Sequence, residues 1–252
     1  MGRAELSYRL DDRVVVVTGV SSGIGRWLAE GLDAAGARLV LTARRGDLVE
    51  DLARGLRAAL AVPGDITVDA DRARIVEQAA DRFGRIDAVV NNAGVINYAR
   101  ALDETAADVR RLLDVNVVGP FDLARRCVEH LRTAGGGSVV NITSMSAIVA
   151  TGLTVPSAGY CASKAALAHL TRELAVQWGR YGIRVNAVAP GMYPTGMIDG
   201  QDEVPEFFAS RLAIQRAGRP EDMIGAVQYL LSDASAYVTG QQFAVDGGRT
   251  VT

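Results

Sequence analysis

The stretch Val14-Val15-Val16-Val17-Thr18-Gly19-Val20-Ser21-Ser22-Gly23-Ile24-Gly25 joins a run of β-branched residues to a glycine-rich turn, and a helical pattern follows near Arg26. Glycines allow the backbone to turn sharply and to approach a pyrophosphate, whose charge then meets the amides and the positive dipole of a helix N-terminus. We therefore expect a strand, a dinucleotide-binding turn and a helix. The expected cofactor-binding residues of this turn are Gly19, Ser21, Ser22, Gly23, Ile24 and Gly25.

The glycine spacing leaves a second interpretation open. Three residues, rather than one, separate Gly19 from Gly23, so the turn departs from the usual dinucleotide fingerprint. A tight structural turn that binds no ligand is the alternative.

Short β-branched runs alternate with longer amphipathic segments along the rest of the chain. This alternation predicts an α/β fold, in which helices cover both faces of a parallel sheet. The expected strands are Val14–Val17, Leu39–Leu41, Ala59–Val62, Ala88–Val90, Ser138–Ile142, Arg184–Val188 and Phe243–Val245. The expected helices are Trp27–Ala35, Ala70–Phe83, Ala106–Leu131, Ala158–Tyr181 and Glu221–Leu231, with Asp69, Thr105 and Ser157 as candidate starts.

Composition narrows the classes of protein. The 252 residues are 49% hydrophobic and 22% charged, so they can bury a large core within a single domain spanning 1–252. A formal net charge of −2 argues against a nucleic-acid partner, because it leaves no basic surplus to neutralise phosphates. No signal sequence opens the chain and no apolar run approaches ~18 residues, so we expect a cytoplasmic protein with no membrane partner. We expect no metal, since no ligand spacing joins Cys127, Cys161, His130 and His169.

The end of the second expected strand bears on the choice of cofactor. The sequence there is Thr42-Ala43-Arg44-Arg45, without the acidic side chain that would accept hydrogen bonds from an adenosine ribose. An arginine offers a planar set of donors suited to a ribose 2′-phosphate. We therefore expect Arg44 and Arg45 to bind NADP(H) in preference to NAD(H). Alternatively, both are solvated surface charges, and Asp47 pairs with one of them.

The stretch Tyr160-Cys161-Ala162-Ser163-Lys164 lies within an expected helix and places Tyr160 and Lys164 on one face. A phenol, with a reference pKa of ~10, is a poor acid or base at neutral pH, but a neighbouring ammonium favours its ionised form. This pair is therefore a candidate for proton transfer, with Lys164 expected to lower the pKa of Tyr160. In isolation, the same spacing is also typical of an amphipathic helix surface.

In their order and spacing these motifs resemble the classical short-chain dehydrogenase/reductase family, from about Leu10 to Gly248. The matching residues are the glycine turn, Asn91-Asn92-Ala93-Gly94, Asn116, Ser144, Tyr160 with Lys164, and Pro190-Gly191 to Thr195. The resemblance implies a Rossmann-type doubly wound sheet of about seven strands in the order 3-2-1-4-5-6-7, with the cofactor beyond the carboxyl ends of the strands. It also implies a homotetramer.

The resemblance further implies roles for individual residues. Ser144 would polarise a substrate carbonyl, Tyr160 would pass it a proton, and Lys164 would bind the nicotinamide ribose. Asn116 would hold a water through its backbone carbonyl, and Asp65 would bind the adenine amino group. Other cofactor contacts would come from Ile66, Asn92, Ala93, Gly94, Tyr160, Lys164, Pro190, Gly191 and Thr195.

Two segments depart from the family pattern or resist assignment. Ser146 is an alternative to Ser144, and the interval to Tyr160 is longer than usual, so we expect residues Thr151 to Ser157 to shape the substrate mouth. After the sixth strand, glycines and prolines interrupt residues 190–220. We expect this segment to form a substrate lid, with a short helix around Glu206–Leu212.

The expected activity is hydride transfer between NADP(H) and a small-molecule carbonyl or secondary alcohol. Reduction of a 3-oxoacyl thioester is the first substrate hypothesis. The rival is a gluconate- or alditol-type dehydrogenase, because Pro190 to Thr195 resembles relatives that act on sugar acids and polyols. A dinucleotide-binding protein without turnover is the third hypothesis, and the combination of Asn116, Ser144, Tyr160 and Lys164 argues against it.

Overall fold

The computed structural model describes residues 7–152, 155–195, 206–210 and 212–252. Its centre is one seven-stranded sheet in which every strand is parallel to its neighbours, in the order β3-β2-β1-β4-β5-β6-β7. This confirms the predicted fold class and strand order. The strands are β1 (Val14–Thr18), β2 (Arg38–Thr42), β3 (Ala59–Ala61), β4 (Ala88–Asn91), β5 (Gly137–Ile142), β6 (Ile183–Pro190) and β7 (Gln242–Val245).

Helices surround this sheet. They are α1 (Gly23–Ala34), α2 (Gly46–Arg54), α3 (Asp69–Phe83), α4 (Ala106–Leu113), α5 (Gly119–Thr133), α6 (Ala158–Trp178), α7 (Glu206–Ala209) and α8 (Pro220–Leu231). The predicted starts at Asp69 and Thr105 are confirmed, and Thr105 and Asp108 form a reciprocal capping box. No helix among the described residues is both long and apolar enough to cross a membrane.

The sheet separates two hydrophobic clusters. Successive side chains of a strand point to opposite faces. Val15 and Val17 therefore pack with α1 and α8, whereas Val14 and Val16 pack with α3, α5 and α6. Because both faces are covered, β1 is apolar at every position from Val14 to Val17, which explains why it reads as a continuous β-branched run.

Two elements differ from the sequence prediction, and a third is described only in part. Helix α2 was not predicted, because only Val49 and Leu52 of its nine residues are buried. The single helix expected over Ala106–Leu131 is interrupted by a π-helical turn, Asp114–Val118, between α4 and α5. The lid prediction is covered only in part: α7 matches the expected short helix, while residues 196–205 lie outside the described residues.

All seven strands present their carboxyl ends to the same edge of the sheet. The glycine turn follows β1, Ser144 follows β5, and the Pro190–Thr195 segment follows β6. The fold therefore gathers residues that are far apart in sequence at this carboxyl edge.

Candidate active site

A cavity of about 780 Å³ opens at the carboxyl edge of the sheet. Its size falls within the range of small-molecule and cofactor sites. Every cofactor-binding residue expected from the sequence lies on its wall, as do Ser144 and the alternative Ser146. Asn116 does not line the cavity, and its side chain is fully buried.

The glycine turn is held against the segment that follows β4. Thr18 Oγ1 accepts the backbone N–H groups of Asn92 (3.0 Å) and Ala93 (2.9 Å), and Asn92 Nδ2 donates to the Thr18 carbonyl (2.9 Å). A Cβ added to Gly19, where φ is +74°, would lie 2.7 Å from the Ala93 Cα, and one added to Gly25 would overlap the Gly19 carbonyl oxygen. Close packing therefore demands glycine at both positions, as the structural interpretation of the turn required.

The same turn also fits a dinucleotide phosphate. The Ser22 side chain does not cap α1, and the first turn of this helix carries no acidic residue. The amide groups at its N-terminus, which forms part of the cavity wall, are therefore available as hydrogen-bond donors. Together with the positive end of the helix dipole, they favour an anion. The geometry is compatible with both interpretations, because tight packing creates the surface that a phosphate would contact.

Arg44 and Arg45 lie on the cavity wall beside this turn. Arg45 donates from Nη2 to the hydroxyl oxygens of Ser21 and Ser22, both at 2.9 Å. Arg45 is therefore held at the phosphate-binding turn, and none of the described carboxylates forms an ion pair with it, including Asp47. This donor set suits an additional phosphate on the adenosine ribose.

Asp65 occupies the end of the cavity near β3, but its carboxylate is already engaged. Asp65 Oδ1 accepts the N–H of Thr67 at 2.8 Å and its hydroxyl at 2.7 Å. Gly64 and Asp65 therefore form a turn at the end of β3 that occupies one oxygen of the carboxylate. Oδ2 has no such contact among the described residues, which leaves an acceptor for an amino group.

Tyr160 and Lys164 project from α6 into the base of the cavity. Lys164 Nζ lies 5.8 Å from the centre of the Tyr160 ring and donates to the Ile142 carbonyl at 2.9 Å. Ser144 begins the turn after β5, and its hydroxyl accepts the Ser146 N–H at 3.1 Å. The structure therefore brings together the three side chains that the sequence singled out.

Burial dominates the acid–base properties of the pair. It raises the pKa of Tyr160 to about 12, although a hydrogen bond with Ser144 opposes this rise. Burial likewise lowers the pKa of Lys164 to about 8. The pKa of Tyr160 is therefore raised rather than lowered, because desolvation is the largest influence on it and Lys164 is hydrogen bonded to the main chain rather than to the phenol.

Asn116 links three parts of the site. Its Oδ1 accepts the Val95 N–H and its Nδ2 donates to the Val95 carbonyl, both at 2.9 Å. Nδ2 also donates to Ser163 Oγ at 2.9 Å, and Ser163 Oγ donates to the Tyr160 carbonyl at 2.8 Å. The π-helical turn places Asn116 where its side chain fastens the segment after β4 to the helix that carries Tyr160.

The segment after β6 closes another side of the cavity. A Cβ added to Gly191 would lie 2.5 Å from the Asp246 Cα, so Pro190 and Gly191 pack tightly against the turn after β7. Thr195 reaches back over the glycine turn, where its Cβ would be 3.0 Å from one added to Gly23. These residues therefore lie where the sequence analysis expected them, beside the cavity.

Glu104, which no motif in the sequence marks, holds the helix that carries Tyr160. Glu104 accepts the Gly159 N–H at 2.8 Å, whereas Ser157, the expected start of α6, makes no capping bond. An isolated β-bridge between Ala99 and Ser157 ties the same two segments together. Nothing in the sequence indicates this contact, because Glu104 adjoins the cap of α4 and contacts α6 only through the tertiary fold.

Comparisons with known proteins match almost the whole chain. The sequence model of a family described as enoyl-(acyl carrier protein) reductase matches residues 19–250. A cis-4-hydroxycyclohexanecarboxylate dehydrogenase from Sinomonas cyclohexanicum is 39% identical over 248 residues, covering 95% of this chain and 97% of its own. A 2-(S)-hydroxypropyl-CoM dehydrogenase from Xanthobacter autotrophicus is 38% identical, covering 97% and 99%.

A solved structure is similar over the same length. It is a gluconate 5-dehydrogenase from Burkholderia cenocepacia, in complex with NADP and tartrate. The TM-score is 0.90 at 33% sequence identity, and the match covers 97% of this chain and 98% of the other. The similarity therefore extends across the sheet, the cavity and the surrounding helices.

Proposed function

Because the chain belongs to the classical short-chain dehydrogenase/reductase family and is an NAD(P)-dependent oxidoreductase acting on secondary alcohols, we propose that it uses NADP(H), with Tyr160 as the proton donor or acceptor. The observation that carries this proposal is the meeting of Ser144, Tyr160 and Lys164 at the base of one cavity. The same cavity extends to the uncapped N-terminus of α1.

The chain's own groups divide the chemistry among them. A bound nicotinamide dinucleotide supplies or accepts the hydride. Ser144 orients the substrate oxygen, and the protonated Tyr160 phenol donates a proton to that oxygen during reduction. Lys164 would hold the nicotinamide ribose. The backbone carbonyl of Asn116 would hold a water that exchanges protons with Lys164. Oxidation of an alcohol uses the same groups in reverse.

Arg44 and Arg45 support NADP(H) over NAD(H). Arg45 is held on Ser21 and Ser22 beside the phosphate-binding turn, and the wall there has no carboxylate to repel a 2′-phosphate other than Asp65 among the described residues. The related gluconate 5-dehydrogenase is described in complex with NADP. A lower KM for NADPH than for NADH in the same assay is the expected result, and equal values would contradict the preference.

The substrate remains a choice between two classes. Reduction of 3-oxoacyl thioesters is compatible with the site, but the relatives above are named for cis-4-hydroxycyclohexanecarboxylate, 2-(S)-hydroxypropyl-CoM and gluconate. The gluconate 5-dehydrogenase among them favours the rival hypothesis of a gluconate- or alditol-type dehydrogenase. A panel of acetoacetyl thioesters, keto sugars and oxo acids, assayed by NADPH oxidation, separates the two.

Tyr160→Phe tests the catalytic proposal directly. The substitution removes the hydroxyl and keeps the ring, so turnover should fall by roughly 10²- to 10⁴-fold while NADPH affinity is retained. Near-wild-type turnover in this variant would overturn the assignment of Tyr160. The hypothesis of a non-catalytic dinucleotide-binding protein would instead require tight NADPH binding by the unmodified chain and no oxidation across the whole panel.

We also propose that the chain forms a homotetramer through α5, α6 and the C-terminal segment. Val176 on α6 is 82% exposed and Val118, next to α5, is 49% exposed. Apolar side chains at such positions are covered when a helix packs against its own copy.

A further inference from the structure

The charges on the cavity wall are unevenly distributed. Among the described residues that line it, the charged side chains are Arg44, Arg45, Asp65, Lys164 and Arg249. Arg44, Arg45 and Asp65 follow β2 and β3, and Lys164 Nζ is bonded to the Ile142 carbonyl. Arg249 is therefore a cationic side chain that neither the proposed cofactor binding nor the proposed proton transfer uses.

Strand order places Arg249 at the far end from the other arginines. Arg249 follows β7, and Arg44 follows β2, five inter-strand spacings away in the sheet. At about 4.8 Å per spacing, the two ends are separated by roughly 24 Å. The turn before Arg249 packs on Gly191, next to Met192 and Tyr193, so Arg249 belongs to the substrate side of the cavity.

The backbone around Arg249 is fixed. The Asp246 carboxylate accepts the N–H of Gly248 at 2.9 Å and that of Thr250 at 2.8 Å, and the Arg249 N–H donates to the Asp246 carbonyl at 3.2 Å. These bonds bracket Arg249 on both sides. Its guanidinium therefore projects from a rigid turn, as a recognition group should.

The guanidinium of Arg249 has donors to spare. Its Nη1 donates to the main-chain oxygen of Thr252, the last residue of the sequence, at 3.5 Å, which is the outer limit of a hydrogen bond. No Asp or Glu side chain of the described residues forms an ion pair with Arg249. A guanidinium carries five N–H donors in a planar fork that matches a carboxylate. A partly buried cation in this state favours an anionic ligand.

We propose that Arg249 binds a carboxylate carried by the substrate, which makes the substrate a hydroxy acid or the corresponding oxo acid. This rests on the proposed function, because it places the anion in the same cavity as Tyr160. Binding energy from a group remote from the reacting carbon holds the carbonyl in place for Ser144 and Tyr160.

The test compares oxo acids with their neutral methyl esters. Acetoacetate and 4-oxocyclohexanecarboxylate, each paired with its methyl ester, are assayed by NADPH oxidation with the unmodified protein and with Arg249→Gln. The unmodified protein should favour at least one acid over its ester in kcat/KM. Arg249→Gln should lower kcat/KM for that acid by roughly 10- to 100-fold and leave the ester unchanged, because a hydrogen-bonded charge pair is lost. Arg249→Lys should recover part of the loss.

Controls separate a local effect from a folding defect. Arg132→Gln removes an exposed arginine of α5 that pairs with Glu129, and it should change neither substrate. NADPH affinity and Tm of Arg249→Gln should match the unmodified protein. If Arg249→Gln does not fold, Arg249→Lys and competitive inhibition by cyclohexanecarboxylate, weakened by added salt, carry the test.

The failures of the two proposals are distinguishable. If the unmodified protein and Arg249→Gln both reduce esters and acids with equal kcat/KM, the carboxylate proposal is overturned. The proposed oxidoreductase function would still stand. Binding of NADPH without reduction of any ketone in either panel would overturn the proposed function itself.

Discussion

Tyr160 and Lys164 lie one helical turn apart, yet burial rather than their mutual interaction sets their pKa values. The spacing could be read from the sequence, because α-helical geometry places residues four apart on one face. The desolvation of the two side chains could not be predicted from the sequence, because it depends on all the residues that pack around them. The phenol is consequently the protonated form at neutral pH, which suits a proton donor for reduction.

The pH dependence of the two directions should therefore differ in sign. With the pKa of Tyr160 raised to about 12 and that of Lys164 lowered to about 8, both groups carry their protons below pH 8. Ketone reduction should be flat at neutral pH and decline as pH rises above about 8, while alcohol oxidation should increase. Initial rates in both directions across pH 6 to 10 measure this. A reduction rate that climbs throughout that range would contradict it.

Ser144 and Ser146 make different predictions despite lining the same cavity. The Ser144 hydroxyl is hydrogen bonded with Tyr160. Ser146 acts on the Ser144 hydroxyl only through its backbone N–H, which donates to it at 3.1 Å. Ser144→Ala should therefore lower kcat by roughly 10²-fold or more, because a polarising hydroxyl is lost from the reacting oxygen. Ser146→Ala keeps the N–H and should cost less than about tenfold. Equal losses in a steady-state assay would argue against the choice of Ser144.

At the scale of elements, contacts between segments explain what the sequence could not show. The register of β5 places Ser144 at a strand end, and this was predictable. The π-helical turn was not, because one helical pattern runs through Ala106–Leu131 and the interruption depends on Asn116 bonding to Val95 and Ser163. Glu104 was missed for the same reason, as its partner lies 55 positions away.

A network of charges joins α3 to α5 and should govern acid stability. Burial opposes ionisation of Asp122, but hydrogen bonds from Arg126, Arg125 and Arg72 outweigh it and hold the pKa of Asp122 well below its usual range. A carboxyl of depressed pKa stabilises the fold above its unfolded value of about 4, and this stabilisation is lost as pH falls toward the folded value.

Asp122→Asn should lower the free energy of unfolding by about 2–4 kcal/mol at neutral pH, because Arg72, only 8% exposed, loses its buried carboxylate partner. Asp51→Asn, which breaks an exposed pair with Arg54 on α2, is the matched control and should change stability little. Urea unfolding of the three proteins at neutral and acidic pH measures the difference. It should narrow as the solution becomes acidic, and a constant difference would contradict the ionisation argument.

For the whole molecule, the sheet could be predicted because most strands are short apolar runs bounded by turns, and β1, β4 and β5 contain consecutive valines. The order of the strands came from family resemblance rather than from the pattern. Helix α2 was not predicted, because a short helix that buries only two side chains has almost no hydrophobic periodicity in its sequence. The position of Arg249 in the cavity also lay beyond the sequence, since β7 reaches the substrate side only when the sheet is assembled.

The proposed tetramer belongs to this scale as well. Light scattering during size-exclusion chromatography should give four times the chain mass, because apolar side chains on α5 and α6 are covered by copies of the chain. Val176→Glu places a charge in that surface and should shift the protein toward smaller species. Val68→Glu, immediately before α3 and 46% exposed, is the control and should leave the assembly unchanged. A monomer in the unmodified protein would contradict the proposal.

The common direction of the seven strands has a practical consequence. The candidate catalytic residues lie at the carboxyl edge of the sheet, so a label or tether can be attached at the amino edge. The turns before β4 and β5 lie there. Gly84 and Gly135 have positive φ values of +75° and +92°, which would strain a side chain, so a label belongs on exposed neighbours such as Asp81 and Thr133. A fluorophore or a surface tether attached at either turn would leave the mouth open to solution, so immobilised protein should keep its full turnover.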